Sequence, residues 1–314
     1  MIGESLPLPP SKNSTPLMLF DSASLWYRAY FGMPDSMLGA NGKPINAIRG
    51  FLDMSARLIA KYQPGQIIFC IDGDWRPSWR VQLFPGYKAN RVDDEGDEET
   101  EPDLLTDQIP IILDVLEAIG FLVVGMDDFE ADDVIASYCH QNRQPTRVVT
   151  GDRDLFQLVD DQNDCKIVYL AKGIANHDLV DESYVSNRFG IPAKRYGLFA
   201  SIRGDASDGL PGVKGIGEKG AAALAQEFEN LDQILESAKK DERIPAKLRT
   251  KILDNVEYVK IAEELTTCRK NLDLPKTKGV IPKKILDEVK LNSLKSEYSL
   301  TTSVERLISV AGIN

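Results

Sequence analysis

The chain has 314 residues, enough for one large domain or two ordinary ones. Its 43% hydrophobic content supports a real core rather than a disordered chain, and no apolar run approaches the length of a membrane span. The 48 acidic against 37 basic side chains give a formal charge of −11, which by itself argues against a nucleic-acid partner.

The first 16 residues are rich in Ser and Pro and lack a basic start followed by an apolar core, so they read as a loose tail and not a signal peptide. Leu17-Met18-Leu19-Phe20 is a short apolar run that stops at Asp21, the pattern of a buried parallel strand. From Asn46 to Lys61 the apolar spacing is helical, through Ile48, Phe51, Leu52, Leu58 and Ile59. Gln66 to Ile71 is a second strand, ending at Asp72. Between 75 and 103 the aromatics Trp75, Trp79, Phe84 and Tyr87 alternate with Arg76, Arg80, Lys88 and Arg91, and an acidic run follows. This mixture suits a strand-binding surface and reads as an exposed, partly mobile excursion; an ordinary amphipathic loop explains it equally well.

Helical spacing returns from Leu104 to Ile119, and Phe121 to Val124 is a third strand. In Glu130-Ala131-Asp132-Asp133 and beyond, Ala131, Val134, Ile135 and Tyr138 mark one buried face, with the three acids on the other side. Arg147 to Thr150 is a fourth strand, followed by Gly151-Asp152-Arg153-Asp154; Leu155 to Val159 begins a helix; Lys166 to Leu170 is a fifth strand. Strands alternating with helices predict a doubly wound α/β domain over about 17–200, with a mostly parallel twisted sheet. After that come short helices and glycine turns, taken together as a helical region over 201–314 that is Lys/Arg-rich to about residue 295.

In such sheets ligands bind beyond the carboxyl ends of the strands. Asp21, Asp72 and Asp152 each follow a strand, so they should share an edge with Glu130, Asp132, Asp133 and Asp154. Asp205 and Asp208 recur later, and each pair alone is explained as well by caps and turns. These nine acids and the eight within 93–103 account for much of the negative charge; without them 31 acids face 37 bases, so a phosphate-binding surface remains open. Four scattered cysteines without a C-x-x-C pair and only two histidines disfavour zinc. An all-carboxylate cluster suits magnesium or manganese instead, in a phosphodiester site with two ions roughly 4 Å apart.

Gly215-Ile216-Gly217-Glu218-Lys219-Gly220 fits G-x-G-x-x-G, but no strand precedes it and Pro211 occupies the place of one, which rejects a dinucleotide fold. A hairpin between two helices fits better, its N–H groups reaching a phosphate with Lys214 and Lys219 adding counter-charge; a purely structural hairpin is the other reading.

These motifs together resemble the 5′-nuclease (5′–3′ exonuclease and flap endonuclease) family. The likeness is strongest to the amino-terminal nuclease domain of bacterial DNA polymerase I and its stand-alone relatives. It rests on Phe20-Asp21 with Trp26-Tyr27-Arg28, Phe69 to Asp72, Gly86 to Arg91, Glu130 to Asp133, Thr150 to Leu155, and Gly204 to Gly217, in that order. The resemblance implies a PIN-like or resolvase-like nuclease domain, an arch insertion at about 76–108, and a helix–three-turn–helix at about 203–228. It implies that Asp21, Asp72, Glu130 and Asp132 surround one ion, and that Asp133, Asp152, Asp154, Asp205 and Asp208 serve a second or a looser third. Lys88 and Arg91 would act on the scissile phosphate from the arch. Tyr27 would stack on a base; Arg28, Arg80 and Tyr87 would contact DNA, as would Gly212, Lys214, Gly215, Gly217 and Lys219 in the hairpin, often with a bound potassium ion.

The implied substrates are 5′ flaps, nicked or gapped duplexes and RNA primer–DNA hybrids, cut in the bacterial cytoplasm during primer removal and repair. No polymerase segment follows within these residues, so a polymerase partner would be a separate protein. The acids within 93–103 would repel a threaded strand, or else form a disordered loop kept clear of the DNA. Two further readings stay open: a non-catalytic DNA-junction binder, and a PIN-type ribonuclease.

Overall fold

The strands Leu17–Asp21 (β1), Gln66–Cys70 (β2), Leu122–Val124 (β3), Thr146–Thr150 (β4), Cys165–Tyr169 (β5) and Asp178–Val180 (β6) form one sheet in the order β3-β2-β1-β4-β5-β6. This computed structural model describes residues 15–92, 103–240, 243–276 and 278–314. The expected tail at 1–16 and the acidic run at 93–103 therefore fall almost wholly outside the described residues.

All pairings are parallel except that of β5 with β6, where Ile167 faces Val180. Because side chains alternate along a strand, each strand feeds two cores. Leu17, Leu19, Ile68, Cys70 and Val148 join the helical side that carries residues 131–142. Met18, Phe20, Ile67, Phe69 and Val149 face the Asn46–Tyr62 helix, with Phe20 and Phe69 stacked at 4.7 Å. The five predicted strands are present; β6, three residues long, is too short to show a period.

Helix boundaries follow local chemistry. Asp21 ends β1 and caps the unanticipated Ser22–Gly32 helix by accepting from Ser24 N at 3.2 Å. The predicted 104–119 helix is instead two pieces, Asp103–Thr106 and Ile109–Ile119, with Pro110 opening the second, where a missing N–H costs nothing. In the break the buried Gln108 accepts from Ala47 N at 2.8 Å, satisfying the first turn of the Asn46–Tyr62 helix. The predicted helix at 155–159 is a short 3-10 turn, Asp154–Leu158.

The expected domain division needs correction at the carboxyl end. From about residue 201 to 266 the chain is mostly helical, as read, but it then runs back across the sheet domain. Ile67 N donates to Gly279 O at 2.7 Å, and Asp287 N to Ala118 O at 2.9 Å. The Thr301–Ala311 helix lays Val304 and Leu307 into the core against Asn46–Tyr62, and Arg306 pairs with Asp53 at 2.6 Å. Its apolar stripe needs a partner, and the outer face of the Asn46–Tyr62 helix supplies one.

Candidate active site

The sheet order reverses between β1 and β4, and a cleft of about 640 Å³ opens at the carboxyl ends there. Asp21, Asp72, Glu130, Asp132, Asp152 and Asp208 line it, together with Tyr27, Arg28, Trp75, Lys88 and Arg91.

Each acid arrives for a local reason. Asp21 ends β1, and its carboxylate accepts from Thr150 Oγ1 at 2.7 Å and from Ser24 Oγ. Asp72 lies just past β2 and accepts from Ala131 N at 2.7 Å, so it caps the Ala131–Asn142 helix from outside. Glu130 is the N-cap residue of that helix, but its side chain turns away from the backbone to meet two donors and a further cation. Lys88 Nζ lies 2.6 Å from Oε2; Arg80 Nη1 at 2.8 Å and the Tyr87 hydroxyl at 2.7 Å share Oε1. Asp152 follows β4, receives Asp154 N at 2.8 Å, and donates its own N–H to Thr150 Oγ1 at 2.9 Å. Asp208 comes from the 204–210 turn and pairs with Arg91 at 3.1 Å. That turn clips onto the Lys88 segment through Lys88 N, which donates to Asp208 O at 3.0 Å. The clip needs glycine: Gly209 has φ +73°, and a Cβ there would lie 2.3 Å from Gly86 O.

The electrostatics divide the acids. Burial opposes charge on Glu130, but Lys88 and Arg80 hold its carboxyl below the usual range. For Asp72, Asp208, Asp132 and Asp154 burial outweighs the positive charge nearby. Burial, then Glu130, pushes Asp72 up to about 7. Burial raises Asp208 to about 6 despite Lys88, with Asp152 adding to the rise. Asp132 is driven well above the ordinary range by burial and by Asp152, Asp21 and Glu130. Asp154 is raised likewise by burial, Asp152, Asp208 and Asp205. These are carboxylates crowded together with too little positive charge, the condition a divalent cation relieves. Among the described residues, no three acidic, His or Cys side chains are gathered closely enough to hold a metal ion as they stand. The donor set is all oxygen, which suits a hard divalent cation.

Several expectations are revised. Asp133 turns away from the cleft: it is fully buried, pairs with Arg80 at 3.1 Å and accepts Arg269 N at 2.7 Å. Arg80 is 3% exposed between Glu130 and Asp133, so its guanidinium is not presented to a phosphate. Tyr87 is buried with its hydroxyl on Glu130. The segment read as an exposed excursion thus folds onto the site at Arg80, Tyr87 and Lys88, drawn in by the charge on Glu130. Asp154 and Asp205 stand beside the cleft rather than in it, Asp205 held by Arg203 at 3.1 Å. In the glycine hairpin, Tyr196–Arg203 and Glu218–Glu227 are the two helices. Lys214, Gly215, Gly217 and Lys219 are exposed, but Gly212 is buried and spends its N–H on the Tyr258 hydroxyl at 2.8 Å. Asp205 and Asp208 sit in a tight loop closed by Asp205 N to Leu210 O at 2.9 Å.

Sequence reasoning missed Ser24 and Thr150, which fix Asp21. Ser24 had a signal, three residues after a capping Asp. Thr150 had none, because its partner is set by the β1–β4 pairing. It also missed Phe31, a 73% exposed side chain on the rim of the cleft.

The 5′-3′ exonuclease N-terminal resolvase-like domain matches residues 16–190, and the 5′-3′ exonuclease C-terminal SAM fold matches residues 191–288. The chain belongs to the 5′-3′ exonuclease family. Among the family's curated members, a 5′-3′ exonuclease of Streptomyces coelicolor is 41% identical over 297 residues, covering 93% of this chain and 99% of that one. A 5′-3′ exonuclease of Mycobacterium tuberculosis is 40% identical over 309 residues, covering 93% and 96%. DNA polymerase I of Deinococcus radiodurans is 33% identical over 298 residues, which span 91% of this chain and 29% of the polymerase. The bacteriophage T5 flap endonuclease, solved as a pseudo-enzyme-product complex with DNA and metal ions, shares the fold. Its TM-score is 0.62 at 18% identity, over 94% of this chain and 99% of that one. The mixed α/β sheet domain followed by a helical domain is therefore the 5′-3′ exonuclease fold. No helix among the described residues is long and apolar enough to cross a membrane.

Proposed function

We propose that this 5′-3′ exonuclease family member is a divalent-metal-dependent hydrolase that cuts phosphodiester bonds near the 5′ ends of DNA. Its substrates are nicked or gapped duplexes, 5′ flaps and RNA primer–DNA hybrids. Its place is primer removal and repair in the cytoplasm, together with a DNA polymerase. The observation that carries this reading is the set of six carboxylates facing Lys88, Arg91 and Arg28 across one cleft at the switch point of the sheet.

Two magnesium or manganese ions, when bound, supply an activated water and a counter-charge for the leaving oxygen. Asp21, Asp72, Glu130 and Asp132 would hold one side of the pair, and Asp152 and Asp208, backed by Asp154 and Asp205, the other. Thr150 and Ser24 keep the Asp21 carboxylate oriented. Lys88 and Arg91 bring positive charge to the phosphate being cut, and Arg28 with Tyr27 receives the adjacent nucleotide on the Ser22–Gly32 helix. The exposed hairpin around Lys214, Gly215, Gly217 and Lys219 grips uncut duplex through its backbone, with potassium as an aid, independent of base sequence.

Incubating a labelled nicked duplex bearing a defined 5′ flap with magnesium, calcium or chelator tests this. Magnesium-dependent products of defined length are expected. Binding in calcium with no cleavage in magnesium or manganese would reduce the protein to a junction binder. Cleavage of single-stranded RNA in preference to flap DNA would favour a ribonuclease.

A further inference from the structure

Arg80 and Asp133 stand outside the cleft, yet they are tied to the residue that heads its helix. The Arg80 guanidinium is a buried bridge: Nη1 is 2.8 Å from Glu130 Oε1 and Nη2 is 3.1 Å from Asp133 Oδ1. Asp133 Oδ1 also accepts Arg269 N at 2.7 Å, from the segment that returns to the sheet domain. Asp133 Oδ2 is buried and has no hydrogen-bond partner among the described residues. Trp79 packs on both cations, 4.8 Å from Arg80 and 4.4 Å from Arg269. Three chain segments, 79–80, 130–133 and 269, therefore meet on one buried carboxylate.

We propose that Asp133 is a positioning residue and not a metal ligand: it anchors Arg80, and Arg80 fixes the rotamer of Glu130 at the cleft. The geometry requires a two-handed cation. The guanidinium spans both carboxylates, as an ion pair through Nη1 to Glu130 and a hydrogen bond through Nη2 to Asp133, whereas an ammonium reaches only one. Without the Asp133 anchor, Arg80 holds Glu130 less firmly, and the carboxylate keeps only Lys88 and Tyr87 to set its direction. The proposal rests on the nuclease reading of the cleft, so its test includes a readout that does not need cleavage.

Asp133→Asn keeps the shape and an acceptor for Arg269 N but weakens the hold on Arg80. The expected result is about a 10-fold loss of calcium affinity by titration, the scale seen when a group behind a ligand is removed. An equal loss of single-turnover rate in magnesium should accompany it, with flap-DNA affinity in calcium unchanged. The deciding step is the double-mutant cycle with Arg80→Gln: in that background Asp133→Asn should change calcium affinity less than 2-fold, because its only route to the site is gone. If Arg80→Gln does not fold, Arg80→Lys replaces it. An undiminished effect of Asp133→Asn in either background would make Asp133 a direct ligand, and no effect in the wild-type background would remove its positioning role. Absent cleavage by the unsubstituted protein would sink the nuclease reading while the calcium cycle still decides this one.

Discussion

Replacing Lys88 with methionine should move metal binding and catalysis in opposite directions. Lys88 Nζ sits 2.6 Å from Glu130 Oε2 and 3.1 Å from Trp75 O, deep in the cleft wall. Methionine fills a similar volume without the charge. Glu130 is not orphaned, because Arg80 at 2.8 Å and Tyr87 at 2.7 Å remain. The stability loss is therefore near that of one charged hydrogen bond, about 1.5–3 kcal/mol, and not the roughly 3–5 kcal/mol of a buried charge left alone. In a chain of this size that is a fall in Tm on the order of 5 °C. The same deletion uncovers Glu130 Oε2 for a cation, since the ammonium occupies that oxygen in the metal-free protein. Calcium affinity without DNA should tighten by about 10-fold, or ~1.4 kcal/mol. Cleavage should slow by about 10²–10³, the cost of losing one donor aimed at developing charge. Isothermal calorimetry with calcium and single-turnover quench-flow at saturating magnesium measure the two. A parallel fall in metal affinity and rate would refute the competition; an unchanged rate with weaker DNA binding would make Lys88 a binding residue only.

Asp132→Asn and Asp152→Asn should each abolish magnesium-dependent cleavage while flap-DNA binding in calcium survives, measured by anisotropy; near-normal turnover in both would overturn the assignment of the cleft. The metal-free protein should lose stability as pH rises. Asp72, raised to about 7, and Asp208, raised to about 6, hold protons in the folded state that the unfolded chain releases above about pH 4. That contribution is full below the unfolded pKa and is lost by pH 7–8, so Tm in chelator should fall between pH 5 and 8, and calcium should flatten the slope. A Tm that climbs over that range in chelator contradicts the crowding. Gly209→Ala should cost about 2–4 kcal/mol by chemical denaturation, since a left-handed residue gains a Cβ against Gly86 O. It should slow cleavage as well, by displacing the Lys88 segment; an unperturbed stability would show that the two loops separate freely.

Much of the fold was legible because its signals are local. A buried parallel strand is a short apolar run, and the acid after it marks the carboxyl end; β1, β2 and β4 each announced themselves this way. The position of Glu130 at a helix start could be read from the spacing of Ala131, Val134, Ile135 and Tyr138. Where the sequence misled, the deciding partner lay far along the chain. The 104–119 helix breaks where Gln108 serves a helix sixty residues earlier. The carboxyl-terminal helix has an ordinary amphipathic stripe, and nothing in it says that its partner is Asn46–Tyr62 rather than the hairpin region.

The acids show the same limit more sharply. Sequence gives their sign and number but not their counter-charges, and in a low-dielectric cleft the counter-charge decides the role. Asp132 and Asp133 are neighbours on one helix turn. One faces Asp21 and Asp152 across the cleft, and the other meets Arg80 behind it. Roughly 100° of rotation per residue separates their faces, which is enough to put one carboxylate where only a cation can satisfy it and the other where an arginine already does. The arch base and the glycine hairpin, read as separate DNA contacts, are likewise joined at Gly86–Gly209 and Arg91–Asp208. The 204–210 turn thus touches the Lys88 segment directly, Lys88 N donating to Asp208 O at 3.0 Å. The two segments are adjacent in space although about 120 residues apart in sequence.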